Sequence, residues 1–570
     1  MTHETARKPV FVRLTMKIAR SYRVSTVTDS AATCRRGSFF PLEATMSPAL
    51  FVQQGRNHRV IASAVGALSL SLIVSGCTVA NSNNGGAARA DTLRIVLPQE
   101  PPTLEACDVS LTSVGVVTRS NITEPLMERN PSTGDLEPKL ADSWEQTSDT
   151  EWTFAIHPGV TFSDGSPFEA EDAAFSIDRT VNSELGCNVE GYVFGDANLV
   201  VNAVDPMTLT VQSPEPDPIL PLRLSFVEMV PRTASYTERV REPIGTGPFA
   251  IERWDYGQKL SLVRNETYWG PKPEYARAEY QWRSEGSVRA SMVTNGEAEI
   301  ATSVGPEDGA GDLGVAYPNN ETTALRIQAA QPPLDDMRVR QAINYAINRG
   351  GIVKALFRGL GSPAAQLISE GVVGFNEDLT PWPYDMDRAR TLIDEARADG
   401  VPVDTEIRLI GRTGQFPKIN ETVEVIQNSL SKIGMNVKIE MMDAAGTAEY
   451  QERPFPDVGP YLLVIQHGNQ AGDSAFTVDQ YFTSDGFQSA YGTAEFDREI
   501  AAAGALTGED RQDAYAQVFA DEPKDIMQMA YIAHMNGVLA KASSVDYTPN
   551  SATVDEMHLA AMTRADTERP

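Results

Sequence analysis

Between Asp335 and Met441 the apolar residues switch repeatedly between helical and strand spacing, and this alternation narrows the possible folds more than any other stretch of the chain. Val339, Ala342, Ile343, Ala346 and Ile347 recur at helical spacing and stop at Gly350-Gly351. Asp335 is expected to cap that helix. Asp385 is expected to cap the next, with Ala389, Leu392, Ile393 and Ala396 inward and Gly400 as terminator. A strand at Thr405 to Ile410, a helix carrying Val423, Ile426, Leu430 and Ile433, a stop at Gly434 and a strand at Val437 to Met441 complete the run. Helix and strand joined by short Gly-containing links predict βαβ units and a mostly parallel sheet.

The preceding half has a different texture. Thr92 to Leu97 alternates as a strand and is ended by Pro98. Glu151 to Phe162 reads as two short strands about His157-Pro158-Gly159, and Leu199 to Val211 as a pair about Asp205-Pro206. Between them Ala170, Ala173, Ala174, Ile177 and Val181 mark a helix. Phe249 to Trp254 and Lys259 to Arg264 form a hairpin turning at Gly257. The fold class expected is α/β, in two lobes: one rich in hairpins, the other in helix–strand alternation. Two such lobes facing across a cleft can trap a ligand by hinge closure.

The N-terminal region carries an export pattern. Arg56 and Arg59 precede an uncharged stretch, Val60 to Val74, that closes on Val74-Ser75-Gly76-Cys77. About fifteen residues fall short of the ~20 that span a membrane but suit the apolar region of a signal peptide. The small residues before Cys77 resemble a bacterial lipobox, which places a lipid on the Cys77 sulfur; a core helix or short membrane anchor is the alternative. Met46 is the expected start, so 1–45 read as an unstructured extension, 46–76 as signal and 77–90 as a flexible tether. Of the remaining cysteines, Cys34 lies in the extension. Cys107 and Cys187 form an even pair in an oxidising compartment, either bridged or two buried thiols. Ten of the 48 Lys and Arg and three of the 77 Asp and Glu precede Cys77, so the rest holds 38 against 74 and a formal charge of −36. Such a surface repels nucleic acid, which is not expected as a partner.

Several segments together resemble the family 5 (peptide/nickel-type) solute-binding proteins of ABC importers. They are Leu136 to Trp144 (LEPKLADSW), Glu151 to Phe168, Pro243 to Phe249 (PIGTGPF) with Asn265 to Gly270 (NETYWG), and Asp336 to Arg349 (DMRVRQAINYAINR). The resemblance implies a periplasmic-binding-protein-like fold whose chain crosses twice between lobes. Lobe I would comprise 91–132, 243–327 and 528–565, with a subdomain inserted at 133–242; lobe II would be 328–527. It implies a monomer on the outer face of the membrane that hands a small molecule or peptide to permease subunits. Arg338, Arg340 and Arg349 are expected in surface or interlobe ion pairs, and Tyr268 and Trp269 in the core.

In dipeptide-type members an Arg and an Asp of the second lobe hold the two charged ends of the ligand, as a desolvated carboxylate and ammonium require. Arg412 matches the Arg within one residue of spacing. The acid falls on Asn469 if Gly468 is aligned and on Asp473 if Gly472 is aligned. Asn469 would leave the ammonium without a partner; Asp473 would keep an ordinary peptide plausible. His467 is a further candidate contact, or a hydrogen-bonded loop histidine. Trp382 would stack on ligand or close a surface turn.

Catalysis is not expected. HExxH, CxxC, P-loop and GxSxG patterns are absent. Ser429-Leu430-Ser431-Lys432 has the SxxK form, yet it sits on an amphipathic helix without the companion motifs of penicillin-recognising enzymes. His157, His467, His534 and His558 show no metal-ligand spacing, so no cofactor or resident metal is expected. The remaining alternatives are a non-peptide solute (a metal chelate, sugar or opine) and a signalling lipoprotein of the same fold.

Overall fold

The computed structural model describes residues 91–565 apart from 196, 309, 310 and 469. Down the chain the strands are β1 (Thr92–Leu97), β2 (Met127–Arg129), β3 (Leu136–Pro138), β4 (Ala141–Ser148), β5 (Glu151–Ile156), β6 (Val200–Asp205) and β7 (Thr208–Gln212). They continue with β8 (Phe249–Asp255), β9 (Lys259–Arg264), β10 (Arg277–Trp282), β11 (Ile300–Ala301), β12 (Gly314–Ile327) and β13 (Gly361–Pro363). The last of the large sheet are β14 (Ile407–Arg412), β15 (Val437–Met442), β16 (Tyr461–Gly468) and β17 (Met529–Lys541).

One sheet runs through the molecule in the order β15-β14-β16-β12-β17-β11-β1-β10-β9-β8, with β13 on β17 beside that path. β14 lies parallel to β15 and β16, and β1 parallel to β10 and β11. The sheet as a whole is nevertheless mixed, which corrects the mostly parallel expectation. β12 and β17 pair antiparallel with each other and with β16 and β11, respectively. The local alternation determines only the βαβ unit of β14, the helix Ile419–Lys432 and β15. β12 and β17 enter from distant parts of the chain, and nothing local sets their direction.

β16 reads Tyr-Leu-Leu-Val-Ile because both its faces are covered. Leu462 and Val464 pack with the helices Met337–Ala346, Met386–Ala398 and Ile419–Lys432. Leu463 and Ile465 point the other way, against the helices Ala475–Tyr481, Ala494–Gly504 and Gly508–Asp525. Asp336, not Asp335, caps the first of these helices, its carboxylate accepting from the Arg338 backbone N–H. Asp385 caps the second as expected. The opposite end of the sheet has its own core of β1, β8, β9 and β10 residues, among them Ile95, Phe249, Leu262 and Tyr280.

The segment around 133–242 carries a separate four-stranded antiparallel sheet, β4-β5-β7-β6. Phe154, Ile156, Leu209 and Val211 form a core with Ala173, Ile177 and Val181 of the helix Ala170–Val181, which opens with a Glu169/Asp172 capping box. The second strand expected after His157 is an isolated bridge, Thr161 to Pro167. Cys107 and Cys187 are joined by a disulfide, their Cα atoms 5.3 Å apart.

Candidate functional site

A cavity of about 710 Å³ lies against the middle of the large sheet, lined by residues of β1, β12, β16 and β17 among others. Leu97, Val116 and Val304 contribute to one wall; Phe357, Gln415 and Phe416 contribute to the other. The volume is that of a small-molecule site. Gly414 to Phe416 directly follow β14, and Gln466 stands near the end of β16, so this wall sits at the carboxyl ends of parallel strands, where open α/β sheets bind ligands.

β12 contributes the middle of the cavity. Its pairing with β17 shifts register between Pro318 and Thr322, and Asn320 there has φ +53°. Tyr317, Asn319 and Glu321 from this irregular stretch line the cavity. The Glu321 carboxylate accepts from the Gln466 amide at 2.7 Å and from the Asn319 amide. Burial pushes it up to about 7, against the pull of those two hydrogen bonds and of the Arg412 charge. Tyr317 is pushed up to about 12 by burial and, secondarily, by the negative charge of Glu321.

Arg412 ends β14, two residues before cavity-lining Gly414. Its Nε is a sealed donor with no acceptor among the described residues, and the nearby Gln415 Oε1 is a sealed acceptor with no donor. Of the two, Gln415 lines the cavity, and an unpaired polar atom on a lining residue is what a polar ligand would satisfy.

The other expected residues lie elsewhere. Asp473 is buried, both its oxygens held by Arg511 at 2.8 Å, and it caps Ala475 N–H at 2.9 Å. His467 is buried with Nε2 2.8 Å from Thr477 Oγ1 and its ring against Tyr481. Burial lowers its pKa to about 4, so the ring is neutral at neutral pH. Trp382 stacks edge-on with Tyr345, centroids 5.0 Å apart, and its carbonyl faces Arg349. Asp473, His467 and Trp382 do not line the cavity, and Arg412 does not line it either, although Gly414 and Gln415 just beyond it do. Asn469 and Cys77 lie outside the described residues. Arg338 pairs with Asp336 and Asp399, but Arg340 and Arg349 make no ion pair among the described residues, which corrects that expectation. Arg349 instead donates to the carbonyls of Asn344 and Tyr531, and burial lowers its pKa to about 10.

Three of the resemblance segments, Leu136 to Trp144, Pro243 to Phe249 and Asn265 to Gly270, converge on Glu124, a residue that sequence reading passed over. Thr246 Oγ1, Tyr268 Oη and Trp269 Nε1 donate to its fully buried carboxylate at 2.7, 2.8 and 2.9 Å, and Lys139 lies 3.3 Å away. A Cβ on Gly245 or Gly247 would overlap the carbonyls of Ile122 and Asn121, so only glycine lets this segment approach closely enough to deliver Thr246. Glu321, Asn319 and Gln466 were also missed. The available signal was the Pro318-Asn319-Asn320-Glu321 interruption shortly before the strand-like Ala324-Leu325-Arg326-Ile327.

Comparison with known proteins places these features in context. Among the described residues no helix is long and apolar enough to cross a membrane. The dipeptide-binding protein of Escherichia coli K12 is 27% identical over 347 residues, which is 55% of this chain and 65% of that protein. The glutathione-binding protein GsiB of Salmonella paratyphi A is 26% identical over 395 residues, 64% of this chain and 74% of that protein. These relatives are binding proteins, and the chain is not an enzyme. The two-lobed fold is shared with DppA of Helicobacter pylori, solved with the peptide STSA, at TM-score 0.71 and 20% identity over 83% of this chain and 98% of that one. It is shared also with CtaP of Listeria monocytogenes at TM-score 0.73 and 20% identity, over 83% and 99% of the two chains. Residues 135–489 match the family model described as bacterial extracellular solute-binding proteins, family 5 Middle, and the chain belongs to that family.

Proposed function

We propose that this protein captures a peptide or peptide-like small solute outside the cytoplasm and delivers it to an ABC import permease. In this reading lobe I is 91–132, 243–327 and 528–565, with the inserted subdomain at 133–242, and lobe II is 328–527. The two lobes close about the solute. The chain then passes between the lobes where β12 ends at Ile327 and again just before β17 begins at Met529. Lipid on Cys77 tethers the chain through 77–90, and it acts as a monomer.

The single observation that carries this reading is the cavity of about 710 Å³, whose lining residue Gly414 follows two positions after Arg412, a residue with its Nε unsatisfied among the described residues. A guanidinium there suits a solute carboxylate, which it can hold bidentately. The names of the dipeptide- and glutathione-binding relatives point to the same class of solute. A second reading, an opine, has support from AgaA of A. tumefacien R10, a protein of this fold at TM-score 0.70 solved with agropinic acid.

Native mass spectrometry of the protein purified from its host membrane tests both readings. A co-purifying peptide mass supports the first and an opine mass the second; release of the protein by Cys77→Ala supports the anchor. With the solute in hand, Arg412→Ala is expected to weaken binding of an anionic solute by at least ~1.5 kcal/mol. Unchanged affinity removes Arg412 from the site.

A further inference from the structure

Peptide solutes carry an ammonium as well as a carboxylate, and the acid expected to meet the ammonium is already committed. Asp473 is neutralised by Arg511 on both oxygens. Three other acids line the cavity with Glu321: Glu285 is exposed, Asp308 lies in the field of Arg289, and Glu556 is bound by Arg119 and His558. Glu321 differs from all of these. It is half-buried, and no ion pair joins it to a cation among the described residues. The amides of Asn319 and Gln466 both donate to Oε2, while Oε1 takes neither.

We propose that Glu321 receives the terminal ammonium of a short peptide solute whose carboxylate lies toward Arg412, so that the cation anchor sits on β12 instead of on the loop after β16. This rests on the peptide reading of the cavity given above. The pairing is physically complementary. A carboxylate withdrawn from water without a counter-ion is costly, and an ammonium delivered to Oε1 compensates both partners. The two amides hold the carboxylate in place beforehand, which lowers the ordering cost of binding. Glu321 lies directly across from Gly468 in the β12–β16 ladder, and Gly468 immediately precedes in sequence one of the two positions, Asn469 and Asp473, on which the resemblance puts the family's own acid. The raised pKa of Glu321 fits an acid that still lacks its cation.

The test uses the whole purified protein, stripped of solute by partial unfolding and refolding. It is incubated with an equimolar random tripeptide mixture and, separately, with the same mixture N-acetylated, and the bound fraction is read by native mass spectrometry. Wild type is expected to retain the free-amine mixture at least tenfold better than the acetylated one. Glu321→Gln, which keeps size and hydrogen bonding, is expected to lose that preference while binding the acetylated mixture as wild type does. Glu321→Asp is expected to restore part of the preference, which separates a charge contact from a folding defect. Equal retention of both mixtures by wild type overturns the proposal and leaves a peptide solute standing. So does a preference that survives in Glu321→Gln. Retention of neither mixture overturns the peptide reading and the proposal together.

Discussion

The indole N–H of Trp269 donates to Oε2 of Glu124 at 2.9 Å, joining a segment near residue 269 to one near 124 through a carboxylate wholly removed from water. Thr246 shares that oxygen, and Tyr268 and Lys139 take the other. Glu124→Ala would strand three donors at once and leave Lys139 with Glu128 as its remaining partner. Loss of about 3–5 kcal/mol is expected, and about 1–3 kcal/mol for Glu124→Gln, which keeps one acceptor. Denaturant unfolding measures both; equal losses for the two variants would deny the carboxylate its charge role.

Asp473 and Arg511 make a second buried pair, 2.8 Å apart. Asp473→Ala leaves a buried guanidinium unpaired and is expected to cost about 3–5 kcal/mol, part of it recovered in the Asp473→Ala/Arg511→Met double variant. Solute affinity of the folded fraction is expected to stay near wild type. A large affinity loss with stability intact would return Asp473 to the binding site.

His467 sets an acid limit on stability. Its folded pKa of about 4 lies below the ordinary 6.5, so its contribution is full above about 6.5 and is lost as pH falls toward 4, by roughly 3 kcal/mol at the end of that window. Buried carboxyls raised by burial, Glu522 to about 7 and Glu228 to about 8, act in the opposite sense: they favour the fold as pH falls through those values. The diagnostic is therefore a difference. Melting temperatures of wild type and His467→Gln should converge between pH 6.5 and 4, and parallel curves would mean that the ring does not titrate with unfolding.

The Cys107–Cys187 bridge closes a loop of sequence separation 80. In the chain-entropy model that constraint contributes about 4 kcal/mol. Reductant should lower the guanidinium midpoint of wild type to that of Cys107→Ser/Cys187→Ser and leave the double variant unmoved.

Elements whose signal is periodic were legible from the chain alone. The helix Ala170–Val181 has the limits that its apolar spacing predicts, and Ile419–Lys432 and Met386–Ala398 follow the same logic. The choice of Asp336 over Asp335 as cap could not be read, because two adjacent acids offer the same side chain one residue apart. Pairing direction was illegible for a deeper reason: β12 and β17 meet across some 200 residues, and neither carries a local mark of its partner. The same distance hid the site. Arg412 was found through its surroundings in sequence, whereas Glu321 acquires meaning only when Gln466 arrives from 145 positions away to hydrogen-bond it.

The break in β12 has a mechanical consequence. Asn319 and Glu321 belong both to the cavity wall and to the first of the two places where this strand leaves its regular ladder with β17. A solute held by Glu321, as proposed, would act on the strand that leads into the crossing between lobes, and occupancy would become torque without any relay through intervening side chains.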